Sequence, residues 1–208
     1  MEITIVGAGK MARGIGTRAL AGGHRVRLVD NTRAKADALA ADLGGGASGA
    51  DFDALDGADI VVLAVPFEAA KSVAREHAQA LAGKVVVDIC NPVDFSTFDS
   101  LVTPPGEAAV SLIAAEAPRA RFVKAFNTTF STALVAGEVG GLPLDVFIAT
   151  DDDAARSAVT ELVSSGGLRP VDAGPLRRAQ ELEAFQFLHM TLQGRLGLNW
   201  SSAIKILP

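Results

Sequence analysis

The chain has 208 residues, 49% of them hydrophobic, a formal net charge of −5, a single cysteine and three histidines. That length and apolar content suffice to bury a core and argue against a disordered chain. Net negative charge without a basic run argues against a nucleic-acid partner, and one cysteine with scattered histidines against a disulfide framework or a metal centre.

Residues 2–6 form a short β-branched run, Glu2-Ile3-Thr4-Ile5-Val6, that meets Gly7-Ala8-Gly9-Lys10-Met11-Ala12. A helical pattern then runs to Gly22-Gly23, and a second apolar strand over residues 26–29 ends on Asp30. Strand, glycine turn, helix, strand and acid in this order and spacing form a dinucleotide-binding βαβ unit. Gly7 can leave the strand at positive φ, Gly9 leaves space for a pyrophosphate, and Ala12 lets helix and strand lie close. The first helical turn has backbone N–H groups without intrahelical acceptors, and its dipole favours an anion there.

The next helix is expected to be capped by Asn31 or Thr32, to carry Leu39 and Leu43, and to stop at Gly44-Gly45-Gly46. Residues 52–57 read as a short helix, and residues 59–66 and 84–89 as strands apolar on both faces, the pattern of parallel strands covered by helices. Helices are expected over 67–81, 107–117 and 152–165, and further strands over 121–125, 147–150 and 168–171. The alternation predicts an α/β fold, a Rossmann-type doubly wound parallel sheet with a small helical C-terminal extension. We divide it into a dinucleotide-binding domain, 1–174, and an extension, 175–208, whose long helix carries Leu182, Phe185, Leu188, His189 and Leu192 at three- and four-residue spacing. That stripe is expected to pack on the domain or on a second subunit. The longest apolar run, 60–67, is too short to span a bilayer, and residue 1 leads directly into a strand without a basic leader, so we expect a cytoplasmic protein with no membrane role.

In open α/β sheets ligands lie outside the carboxyl ends of the strands. That rule selects the glycine turn, residues 30–33, Val65-Pro66-Phe67, Cys90-Asn91-Pro92 and Ala125-Phe126-Asn127-Thr128. Asp30 suits a ribose diol and hence NAD, whereas Thr32, Arg33 and Lys35 pull toward NADP, since a guanidinium and an ammonium near the ribose could hold its 2′-phosphate. Asn91 and Asn127 place carboxamides where nicotinamide or a substrate carbonyl would lie, and Pro66 could wall the ring. Cys90 reads as a small buried thiol, His24 and His77 as structural or solvent-facing, and His189 as a core histidine. The chain has no tyrosine, so a tyrosine–lysine proton donor is excluded, and no catalytic acid or base can be assigned. Hydride transfer to a planar ring held against nicotinamide fits that inventory, since positioning supplies most of the rate.

The segments Ile5-Val6-Gly7-Ala8-Gly9-Lys10-Met11, Ala64-Val65-Pro66, Val87-Asp88-Ile89-Cys90-Asn91-Pro92, Val123-Lys124-Ala125-Phe126-Asn127-Thr128 and residues 167–176 together resemble the NADP oxidoreductases grouped with the coenzyme F(420)-dependent reductases. The resemblance implies a Rossmann domain with a small helical C-terminal part, pairing as a homodimer, and hydride transfer between NADPH and a deazaflavin. The reductase domain of the STEAP metalloreductases looks similar, with flavin as acceptor. We therefore expect an NAD(P)-dependent oxidoreductase using NADP, with NAD open because of Asp30, and a flavin or deazaflavin as small planar acceptor. Gly7, Ala8, Gly9, Lys10, Met11, Ala12, Asp30, Asn31, Thr32, Arg33, Val65, Pro66, Asn91, Pro92, Ala125 and Asn127 are its expected cofactor contacts. An imine reductase of the pyrroline-5-carboxylate reductase type and a non-catalytic dinucleotide-sensing module are the alternatives.

Overall fold

The computed structural model describes residues 1–207; Pro208, the last residue of the expected extension, lies outside the described residues. In chain order its elements are β1 (Glu2–Val6), α1 (Lys10–Ala21), β2 (Arg25–Val29), α2 (Arg33–Leu43), β3 (Ala47–Ala50), β4 (Ile60–Leu63), α3 (Phe67–Glu76), β5 (Val85–Asp88) and α4 (Ala109–Glu116). There follow β6 (Arg121–Lys124), α5 (Ser131–Ala136), β7 (Glu138–Val139), β8 (Leu142–Pro143), β9 (Asp145–Ala149), α6 (Asp153–Ser165), β10 (Arg169–Gly174) and α7 (Ala179–Leu196). Single 3-10 turns occupy Phe52–Leu55 and Leu176–Arg178.

Eight strands form one sheet in the order β10-β9-β6-β5-β4-β1-β2-β3. Starting at β1, the chain builds outward through β2 and β3 on one side, then crosses back to β4 and continues through β5 and β6 on the other. The order reverses between β1 and β4, and this switch point opens a crevice above their carboxyl ends. The apolar runs of β1, β4 and β5 are buried on both faces because helices cover both. Ile3, Ile5, Ile60 and Val62 join the core under α1, α2 and α6, whereas Val6, Val61, Leu63 and Val86 join the core under α3 and α4. Such strands read as continuous hydrophobic runs rather than alternating ones.

The structure departs from the expected pattern at several points. β3, with the sequence Ala-Ser-Gly-Ala, carries no strong strand signal and is held as an edge strand by parallel pairing to β2. The reading also passed over α5 and the β7–β8 hairpin, which fill the connection from β6 to β9 in place of a simple crossover helix. After this connection β9 joins the sheet antiparallel to β6, through the pair Lys124 and Ala149, and β10 runs parallel to β9. The parallel reading therefore holds for β1 to β6, with a reversed pair at one edge. α3 ends at Glu76, and turns lead from there to β5.

α7 divides its expected stripe between two sides. Leu182 and His189 face inward, but Phe185 and Leu188 are 43% and 55% exposed. The buried side of the helix carries Glu183, Gln186, His189 and Gln193 instead. These polar groups go inside because each has a partner there, which hydrophobic spacing cannot reveal. Among the described residues no helix is long and apolar enough to cross a membrane.

Candidate active site

The glycine turn leaves β1 at Gly7, with φ of 111°, a region open to glycine. A Cβ there would also lie 2.4 Å from the Ala64 carbonyl oxygen, so β4 packs too close to admit a side chain. Gly9 is the N-cap of α1, with φ −92° and ψ −170°, a backbone shape that other residues adopt readily. A Cβ on Gly9 would meet nothing within 4 Å. No side chain caps this end of α1, so its first N–H groups face an open cradle. The cradle fits a diphosphate, whose charge the helix terminus favours.

Asp30 closes one side of this turn. Its Oδ2 accepts the Ala8 N–H at 3.2 Å and its Oδ1 the Thr32 N–H at 2.9 Å, which ties the first and second strand ends together. A cavity of about 280 Å³ adjoins it, lined by Val6, Gly7, Asp30, Asn31, Phe52 and Val65, with room for part of an adenosine. Thr32 stands at the N-cap of α2, as expected, but its side chain makes no capping bond. Arg33 points to the α2–β3 side and is held by Asp37, Asp51 and the Gly49 carbonyl. Lys10, Arg13 and Lys35 border a separate cavity of about 370 Å³ beside the glycine turn.

On the other side of the turn lies a cleft of about 520 Å³. It brings together Gly9, Lys10, Met11, Val65, Pro66, Asn91 and Pro92, all on the carboxyl edge, with Phe95, Val102 and Met190 opposite. Ala125 and Asn127 lie behind this cleft, 0% and 1% exposed. Asn127 donates through Nδ2 to Asn91 Oδ1 at 3.0 Å, and Asn91 Nδ2 donates to the Asn127 carbonyl at 2.8 Å. Asn127 thus holds Asn91 at the cleft wall. Phe126, between them in sequence, sits at φ 61°, a left-handed conformation that costs a bulky residue energy and turns the chain sharply at the end of β6. The Asn127 Oδ1 and Thr128 Oγ1 atoms beside it are buried with no hydrogen-bond partner among the described residues.

Cys90 also lines the cleft, and its thiol donates to the Val65 carbonyl at 3.3 Å. Burial and the nearby Asp88 carboxylate push its pKa well above the ordinary value, so it is a packing thiol rather than a nucleophile. The histidines have structural partners. His24 bonds the Met1 amino group and Ser165, His77 stacks on Phe52 at 4.4 Å, and His189 bonds Gln186 and Ser202.

Two groups escaped the sequence reading. Lys124 is 0% exposed and donates to Asp88 Oδ2 at 2.7 Å, Glu183 Oε1 at 2.6 Å and the Cys90 carbonyl at 2.6 Å. Burial opposes its charge, but the Asp88 and Glu183 carboxylates outweigh it and raise its pKa. The available signal was a lone lysine among Phe122, Val123 and Ala125 in a buried strand. The second group is aromatic. Phe98 lies edge-on to Phe187 and Trp200, and Trp200 edge-on to Phe130, so the loop after Pro92, α7 and the C-terminal tail meet beside the cleft. No local pattern links these residues.

Residues 2–92, which carry the glycine turn, Asp30, Pro66 and Asn91, match the family described as NADP oxidoreductase, coenzyme F420-dependent. Over 185 residues the chain is 29% identical to the metalloreductase STEAP3 of Rattus norvegicus, covering 88% of this chain and 36% of that protein. It is 26% identical over 136 residues to the F420-dependent NADP reductase of Methanocaldococcus jannaschii, covering 64% of this chain and 60% of the relative. The chain thus spans little more than a third of the rat protein and three fifths of the archaeal one. A crystal structure of a "putative f420 dependent nadp-reductase from arthrobacter sp. fb24" superposes over 100% of both chains, with a TM-score of 0.85 and 28% identity. The family match ends at residue 92, whereas the structural likeness extends through α7.

Proposed function

We propose that this protein is a cytosolic NAD(P)-dependent oxidoreductase that passes hydride between a nicotinamide dinucleotide and a planar acceptor of the flavin or deazaflavin class. The observation that carries this reading is the continuous carboxyl edge, where an open helix N-terminus at Gly9 leads directly into the cleft between Pro66 and Asn91. In this reading residues 1–174 bind the dinucleotide, and the extension from 175 covers the acceptor end through Met190 and the aromatic contacts of Phe187 and Trp200.

Each part has a physical task. The first turn of α1 holds the diphosphate, and the cavity beside Asp30 takes the adenosine. A bound nicotinamide supplies or accepts the hydride. Val65, Pro66 and Met11 would wall a bound nicotinamide and exclude water, and the Asn91 carboxamide, fixed by Asn127, would orient its polar edge. The cleft wall formed by Phe95, Val102 and Met190 is apolar enough to seat a flat ring against nicotinamide. The family description and the archaeal relative's name point to NADP and F420, while Asp30 at the ribose end and the already bonded Arg33 keep NAD open. The exposed Phe185, Leu188 and Leu196 on α7 form an apolar face suited to a second copy of the chain, giving a homodimer. Mixing the purified protein with NADPH or NADH and FMN, FAD or a 5-deazaflavin, and following nicotinamide absorbance, tests the activity. Turnover with one pair supports it, whereas tight dinucleotide binding with no transfer to any of these acceptors defeats the enzyme reading.

A further inference from the structure

We propose that Asp37 and Asp51 set the cofactor preference of the adenosine end, holding the Arg33 guanidinium away from a 2′-phosphate so that the site favours NADH. This rests on the dinucleotide reading above.

Arg33 is the first residue of α2 and the first cation after the end of β2, where the adenosine ribose would lie. All three of its nitrogens already donate within the protein. Nε bonds Asp37 Oδ1 at 2.9 Å, Nη1 bonds Asp51 Oδ2 at 2.8 Å, and Nη2 bonds the Gly49 carbonyl at 3.1 Å. These acceptors come from α2, β3 and the segment after β3, so the clamp closes only when the edge strand is in place. Gly49 is part of the device. A Cβ at that position would lie 1.9 Å from Asp37 Oδ1, so the missing side chain is what lets the carboxylate reach across to the guanidinium.

The charge balance points the same way. Two carboxylates on one guanidinium leave the clamp net negative, and Asp30 adds a third carboxylate beside the same turn. A ribose diol can donate hydrogen bonds to Asp30, whereas a 2′-phosphate would meet its charge and would have to compete with two aspartates for Arg33. Lys35 has no partner of this kind but is a flexible point charge, without the fixed fork that grips a phosphate.

The experiment is calorimetric titration of NADH and NADPH into the full chain and its variants. Wild type is expected to bind NADH at least tenfold more tightly than NADPH. The double variant Asp37→Asn, Asp51→Asn keeps the side-chain shapes and an acceptor oxygen but removes both charges. It is expected to tighten NADPH at least tenfold while leaving NADH within twofold, and adding Arg33→Ala to it should remove that gain. The single variant Asp51→Asn, at a side chain 73% exposed, gives the same direction if the double variant folds poorly. A wild type that prefers NADPH, or a NADPH-to-NADH ratio unmoved in both variants, overturns the proposal. Failure of wild type to bind either nucleotide overturns the dinucleotide reading itself and this inference with it, a result distinct from binding with the opposite preference.

Discussion

Lys124 at the end of β6 and Glu183 on α7, 59 residues apart, form an ion pair with Nζ 2.6 Å from Oε1 and both side chains essentially excluded from water. The Glu183 carboxylate also accepts the Ala109 N–H at the start of α4, at 3.0 Å through Oε2. One pair thus ties the last helix to the carboxyl edge of the sheet, and through the Cys90 carbonyl to the wall of the cleft. Removing one partner of a buried pair costs about 3–5 kcal/mol, because the other charge is stranded. Glu183→Ala is expected near the low end of that range, since Asp88 still faces Lys124. Lys124→Met should cost more, leaving two carboxylates unpaired, and Glu183→Gln less. Urea unfolding followed by circular dichroism would rank them, and equal stability of Lys124→Met and wild type would show that the pair does not hold the fold.

Gly7 and Gly9 separate folding from binding. Gly7→Ala forces a Cβ against the Ala64 carbonyl at positive φ, so a loss of about 2 kcal/mol or more is expected. Gly9→Ala meets only open space and should leave the melting temperature nearly unchanged. Its methyl group would occupy the cradle at the start of α1, however, and dinucleotide affinity is expected to fall at least about tenfold, or ~1.4 kcal/mol. Calorimetry and thermal melts on both variants check this, and a Gly9→Ala protein that binds as well as wild type would place the diphosphate elsewhere.

His189 links α7 to the tail, and it predicts a pH response. Its ring bonds Ser202 at 2.7 Å, and Gln193 beside it donates to Ser202 and accepts the Trp200 N–H. Burial lowers the His189 pKa, so the folded state favours the neutral ring. Its stabilising effect is therefore full above the unfolded value of about 6.5 and is lost as pH falls through the lowered folded value. The chain has one tryptophan, Trp200, whose fluorescence should report loosening of the tail as pH falls through the lowered His189 value. His189→Gln should flatten that titration, and a titration unchanged in the variant would assign it to another group.

Asp145 predicts the acid limb of stability. Burial pushes its carboxyl up, but hydrogen bonds from Arg169, Lys205 and the Ile206 N–H outweigh burial and hold it well below the usual carboxylate range. Its contribution is complete above about pH 4 and is lost as pH falls toward the folded value. Asp145→Asn should destabilise the protein by about 2 kcal/mol at neutral pH and reduce the acid slope of unfolding. The variant should also free residues 205–206, which hydrogen exchange would detect as faster amide exchange at Ile206.

The parts legible in the sequence are those specified by neighbours along the chain. The β-branched run of β1, the glycines at its end, the helix after them and Asp30 lie within thirty residues and obey local rules, so the βαβ unit and its anion-favouring helix end could be read directly. The buried strands β4 and β5 were visible for the same reason, since burial on both faces leaves a continuous apolar run. The carboxyl-edge rule then put Val65, Pro66, Asn91 and Pro92 on one side of the sheet, where they line one cleft with Gly9.

What folding alone decided involves partners far apart in sequence. Arg33 read as a free cation until β3 brought Gly49 and Asp51 beside it. Asn127 read as a cleft residue, yet it lies behind Asn91 and supports it. The apolar stripe of α7 reads as packing on the domain or on a second subunit, and its spacing does not show that the side turned to the domain is largely polar because Lys124 and Ser202 wait there. A local pattern records how apolar a face is, and it cannot record that a buried charge or amide will find its complement across the sheet. Hydrogen bonds and ion pairs satisfied at long range overrode hydrophobic spacing at these positions, since burying a polar group is tolerable only once its partner is in place.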